Sequence, residues 1–163
     1  MTSVLRLARW ATLACALCLS LPVLAQATNE PTLREVPAGV AAKKHLVQTI
    51  YENVKFPATA LEARRGGAYA LTIYVNEEGT TFKAKPYTEA PSGKAPLNLV
   101  VTAADNTGGA PVSGQMKVNA DRALLEQTET IGRLLVDKGF DATRRDGVPV
   151  ADSVNLVLYY RIE

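Results

Sequence analysis

The residues best suited to chemistry are few, and they are poorly placed for it. Cys15 and Cys18 are the two cysteines of the 163-residue chain, with the Cys-x-x-Cys spacing of redox-active and metal-binding pairs. Both stand inside an uncharged apolar run, "WATLACALCLSLPVL", where a thiol reads as small apolar filler. Neither sits in a good lipobox. His45 is the single histidine and lies in "AAKKHLV", with no second ligand or partner base in its pattern. Glu77 and Glu78 are adjacent in "NEEG", which suits a solvated turn better than an acid/base pair facing across a cleft. Ser153 has no nucleophile elbow around it, and no glycine-rich phosphate loop follows a strand pattern. An enzyme is therefore not expected, nor is a metal or a cofactor. A net charge of +2 without interleaved basic and aromatic residues gives nucleic acid no footing either.

The N-terminal 27 residues have the form of a secretory signal. Arg6 and Arg9 make a basic start, and residues 10–24 carry no charge. "VLAQA" then offers small residues at cleavage spacing, Val23 and Ala25 before Gln26, or Ala25 and Ala27 before Thr28. The apolar run is shorter than the roughly 20 residues that span a bilayer comfortably. Cleavage is the expectation, and an uncleaved anchor through residues 10–24 is the alternative. Removing the segment takes away Arg6 and Arg9 and no acid, so the net charge falls from +2 to 0. It also removes both thiols, so the exported domain must rest on its apolar core rather than on disulfides.

The rest of the chain reads as one domain. Residues 28–38, "TNEPTLREVPA", are polar and broken by prolines, and we expect a short tether there. From 39 onward Val40, Lys44, Val47 and Tyr51 recur at helical spacing, with Leu46 and Ile50 beside them. Pro57 holds Phe56 extended and opens a second short helix, which Gly66-Gly67 stops. Residues 68–75 alternate, with Tyr69, Leu71, Ile73 and Val75 on one face. "NEEG" makes a hairpin loop, and 80–85 return as the paired strand with Phe82 and Ala84 inward. Residues 88–118 are turn-rich and form an elaborated connection, within which "LNLVVTAA" has room for an extra strand. A long helix is expected over 119–138, capped by Asn119 or Asp121, with Leu124, Thr128, Ile131 and Leu135 as its stripe. A turn at 144–150 leads to a last alternating strand, 154–162. The expected class is α+β, a small antiparallel sheet of about three strands, with room for a fourth, and helices packed on one face.

The ordered set of segments resembles the C-terminal domain of TonB-family energy transducers. Phe56-Pro57 and Ala60 match the start of that family's short helix, and Arg65-Gly66-Gly67 its basic glycine corner. The strand at 70–75, the turn at 76–79, Ala123-Leu124 on the long helix, Gly147-Val148-Pro149-Val150 and the strand at 154–162 follow in the same order. The resemblance spans about residues 37–163. Phe56 stands in place of the family's tyrosine, "GFDATRRDG" keeps Phe140 without the proline, and a long spacer is missing. The resemblance implies a periplasmic protein of outer-membrane transport with no cofactor. Its partner would be an extended, TonB-box-like segment of a receptor, or another envelope protein, added as a strand to the sheet edge at 154–162. By that implication Asn155, Val157, Tyr159 and Arg161 contact the partner along the strand. Arg64 and Arg65 meet acidic groups at the corner, beside Phe56 and Pro57. The alternative is an envelope adaptor whose sheet edge pairs with itself in a homodimer, without energy transduction.

Overall fold

A computed structural model describes residues 30–89, 94–105 and 111–163. The N-terminal segment with Cys15 and Cys18 lies outside the described residues, as do parts of the 88–118 connection.

The alternating segments form the expected strands. β2 (Gly67–Asn76) and β3 (Gly79–Pro86) make a hairpin around Glu77 and Glu78, with Gly79 at φ 133°. Asn76 closes the turn by accepting the Glu78 amide on its side-chain oxygen, at 3.1 Å. The last strand, β8 (Asp152–Ile162), runs antiparallel to β2. "LNLVVTA" is indeed a strand, β4 (Leu97–Ala103), but it lies parallel to β8. The sheet order is β3-β2-β8-β4, so the sheet is mixed and not antiparallel throughout. The reason is connectivity. β4 and β8 are joined through α3, and a crossover of that length permits a parallel pair.

One face of this sheet forms the core. Tyr69, Leu71, Ile73 and Val75 from β2 join Leu156, Leu158 and Tyr160 from β8 and Leu99 and Val101 from β4. Helices α1 (Ala42–Asn53), α2 (Ala58–Glu62) and α3 (Gly114–Lys138) bring Leu46, Ile50, Ala60, Ala120, Leu124, Ile131 and Leu135 to the same core. The α3 stripe is the one its spacing predicts. Its start is earlier than expected, because Ser113 is the cap, accepting the Met116 amide on its hydroxyl at 3.2 Å.

The expected tether is partly built into the domain. Within it, β1 (Thr32–Leu33) pairs with β5 (Phe140–Asp141) just after α3. Leu33 and Phe140 are both buried, the Arg34 amide bonds the Gly139 carbonyl at 3.0 Å, and Arg34 pairs with Asp141. One well-placed leucine in a polar segment is enough to anchor it. A small hairpin, β6 (Arg144–Arg145) with β7 (Val148–Pro149), fills the expected turn.

Two glycines set how closely the layers approach. A Cβ on Gly66 would overlap the Tyr160 carbonyl oxygen, so the corner before β2 can sit against β8 only without a side chain. A Cβ on Gly132 would overlap the Phe82 ring, which lies across α3 at that point. Gly132→Ala should gain helix propensity of about 1 kcal/mol but lose about 1–3 kcal/mol to overpacking, for a net loss of up to about 2 kcal/mol. Urea denaturation checks this. The double variant Gly132→Ala/Phe82→Ala should lose less than the sum of the single losses, since Phe82 is what the new methyl meets.

Candidate functional site

The geometry of the sheet edges decides where a strand can be added. β8 has β2 on one side over Gly67–Val75 and β4 on the other over Leu97–Ala103. The expected edge at 154–162 is therefore the interior of the sheet, and no flank of it is open for a partner along the paired stretch. Among the described residues, the open edges are β3 and β4.

These edges differ in chemistry. The Tyr87 amide donates to the Ala68 carbonyl, which fixes which β3 residues face β2 and leaves Thr80, Phe82, Ala84 and Pro86 facing outward. Pro86 offers no N–H, and Lys83 and Lys85 stand exposed along this edge. Edge lysines and a proline are the usual means of discouraging further pairing. In β4, the Ala103 carbonyl accepts from the Glu163 amide, so alternate residues 97, 99, 101 and 103 face β8. Asn98, Val100 and Thr102 turn their N–H and C=O groups outward, and β4 carries no charge and no proline. Val100 is 39% exposed. Its amide donates to the Tyr51 hydroxyl of α1 at 3.3 Å, which is long for such a bond.

The residues expected to contact a partner mostly have internal partners. Val157 is 0% exposed, in the middle of the sheet. Asn155 lies close to the Thr72 hydroxyl and donates to the Lys94 carbonyl. Tyr159 packs edge-to-face on Tyr87 at 6.3 Å. Arg161 is exposed. Phe56 is half-buried and meets Tyr160 edge-to-face at 5.7 Å, while Pro57 caps α2. Arg65 grips Asp121 through two bonds, at 2.7 and 3.1 Å, and Arg64 pairs with Asp105 at 3.2 Å. The arginine corner does meet acidic groups, but they belong to this chain. Sequence reasoning missed Asn98, Val100, Thr102 and Tyr51. The signal for the first three was the alternation of a charge-free strand inside a turn-rich segment.

Phe56, Tyr69 and Tyr160 form an aromatic cluster over the corner, with Tyr69 and Tyr160 at 5.9 Å. The Tyr69 hydroxyl donates to the Asp121 carbonyl at 3.2 Å, and the Tyr160 hydroxyl lies 3.4 Å from that of Thr128. Burial pushes the Tyr160 phenol up to about 12, against a small lowering by Thr128. Burial, helped by the Asp121 charge, pushes Tyr69 up to about 12 as well. At the far end of β8, burial works to raise the Asp152 carboxyl. Bonds from Lys94, the Ser153 amide and Thr143 outweigh it and hold Asp152 below its ordinary value. A cavity of about 480 Å³ lies near this end, lined in part by Leu33, Leu46, Lys94 and Val154.

Among the described residues no group of His, Cys, Asp and Glu is arranged to hold a metal ion. No helix among them is long and apolar enough to cross a membrane. Compared with protein-family models, with curated proteins and with solved structures, the chain matches none of them. The architecture is a mixed α+β domain whose two sheet edges are unlike.

The raised phenols predict a pH dependence. A folded value of about 12 against an ordinary value of about 10 means that the fold holds the protonated phenol. That contribution is complete below pH 10 and is lost as the pH rises toward 12. Denaturation midpoints should be level from neutral pH to about 10 and then fall, and the fall should be shallower in Tyr160→Phe.

Proposed function

We propose that the chain is an exported envelope protein of the TonB C-terminal type that acts by binding. In this reading an extended segment of an outer-membrane receptor adds as a strand to the outer edge of β4. The observation that carries it is the asymmetry of the sheet. One edge is guarded by Lys83, Lys85 and Pro86, and the other presents the outward groups of Asn98, Val100 and Thr102 on an uncharged strand. The site on the terminal strand that the resemblance implied is filled by β4, so the added strand lies one position further out.

The energetics suit a reversible partner. Three outward residues give about six hydrogen bonds to an added strand, at about 0.5–1.5 kcal/mol net each. The gross gain of about 3–9 kcal/mol is reduced by the cost of ordering the peptide, which leaves affinity in roughly the millimolar to micromolar range. The Tyr51 hydroxyl must release the Val100 amide before a strand can dock. Selectivity falls to side chains that lie beside Asn98, Val100 and Thr102, where small uncharged or β-branched residues fit a flat strand surface.

Export through residues 1–27 belongs to the same reading, and a soluble periplasmic species beginning at Gln26 or Thr28 is the expected product. Mass spectrometry of the protein from separated soluble and membrane fractions checks this. A membrane-bound species that retains residues 1–27 would replace the free binder with an anchored one.

Strand addition is tested by titrating isotope-labelled protein with synthetic peptides that copy the periplasmic N-terminal segments of outer-membrane receptors. Amide shifts should centre on Asn98, Val100 and Thr102. Val100→Pro should abolish them while leaving the fold intact, because the lost N–H faces outward at an edge. Shifts centred on β3, or shifts that survive Val100→Pro, would sink the assignment.

A further inference from the structure

The outward groups of β4 are symmetric about Val100. Asn98 lies two residues before it and Thr102 two residues after, and all three face away from β8. A two-fold axis through Val100, perpendicular to the sheet, lays β4 antiparallel against β4 of a second copy. Val100 then faces Val100 of the second copy, and Asn98 faces Thr102 of the second copy. Every outward N–H meets a C=O, giving about six hydrogen bonds in register. The facing side chains carry no charge, so nothing repels. Asn98, Val100 and Thr102 are all exposed on the sheet face turned away from the core, so the pairing buries no polar group without a partner. The same operation on β3 would bring Lys83 and Lys85 of two copies together around a proline.

We propose that the chain forms a two-fold dimer through antiparallel pairing of β4 with β4 of a second copy, centred on Val100. The two four-stranded sheets become one of eight strands. The interface is isologous, so it closes on itself and leaves β3, with its lysines, at both outer ends. The dimer and the receptor-peptide complex use the same outward groups and exclude one another. That last statement rests on the peptide reading above, whereas the dimer does not. Tyr51, 47% exposed and bonded to the Val100 amide, guards the axis and must swing aside in both copies.

The register is tested by charge pairs at the facing positions, both exposed and so tolerant of substitution. Sedimentation equilibrium of the chain from residue 28 onward, from about 10 µM to about 1 mM, should show the mass rising toward twice the monomer value, as a weak interface predicts. In Asn98→Lys/Thr102→Lys the lysines of the two copies face each other, and dissociation should rise about tenfold or more. In Asn98→Lys/Thr102→Glu each lysine faces a glutamate, and the dimer should be kept or tightened, less so at high salt. Tyr51→Phe should tighten it several-fold by freeing the Val100 amide. A wild-type chain that is monomeric throughout, or two charge variants that behave alike, would overturn the dimer. A monomer that still binds the receptor peptide sinks the dimer and leaves the peptide reading standing. A dimer of the stated register that no receptor peptide dissolves sinks the peptide reading and leaves the dimer.

Discussion

β8 is hydrogen-bonded on both sides, and most of the molecule is arranged by that. β2 reaches it through the glycine corner, where Gly66 passes the Tyr160 carbonyl with no room for a side chain. β4 closes its other flank, and the chain beyond Ala103 continues the pairing through Asp105 and Glu163. Tyr160 receives Phe56, Tyr69 and Thr128 on the core face, so β2, α3 and the segment leading into α2 are all indexed to one residue of this strand. A strand with this many obligations is a poor docking edge. Opening either flank would expose a row of buried backbone groups to be satisfied again elsewhere. Partner binding has therefore to be sought at the sheet's margins.

The margins show how a sheet manages a hazard. An edge strand with free N–H and C=O groups invites pairing with whatever extended chain is near. β3 meets that hazard with two lysines and a proline. β4 has none of these, and among the described residues it has one long hydrogen bond, from the Val100 amide to the Tyr51 hydroxyl. A neutral guard of this kind is weak, because the bond it offers is readily exchanged for one from an added backbone. Aggregation would oppose such an edge unless pairing there served a purpose or closed on itself, and a two-fold register about Val100 does close.

Much of the fold was legible in the sequence, because it rests on local periodicity. Tyr69, Leu71, Ile73 and Val75 alternate, Leu124, Thr128, Ile131 and Leu135 repeat every three to four residues, and both sets are buried as their spacing requires. Asn76 to Gly79 is a turn for reasons contained in those residues. What the sequence did not disclose was non-local. The alternation in "LNLVVTA" is the same whether its neighbour is parallel or antiparallel, or whether the strand is at an edge or inside. Its position follows from where the crossover lands it. For that reason the candidate contacts along the last strand fell on buried Val157 and on Asn155 and Tyr159, which already have neighbours. Leu33 was hidden for the opposite reason. Leu33 and Val36 are too few among prolines and charges to show a period, and only the pairing of Thr32–Leu33 with Phe140–Asp141 shows what Leu33 does.

That pairing bears on how far the domain can stand from a membrane. A tether running from 28 to 38 would extend about 36–40 Å at roughly 3.3–3.6 Å per residue. β1 fixes the chain at Thr32–Leu33, so that part of the stretch belongs to the folded domain and adds nothing to its reach. Were residues 10–24 to remain as an anchor, the domain would lie against the bilayer that held it. In the proposed reading, cleavage would leave the same domain free to diffuse. The anchored and free forms thus differ in reach far more than in binding chemistry, because the β4 edge lies on the folded domain and is the same in both. Force carried from one membrane to another needs both an anchor and length. The docking of Leu33 shortens whatever reach residues 28–38 could give, which is one reason to propose a role in binding rather than one in pulling.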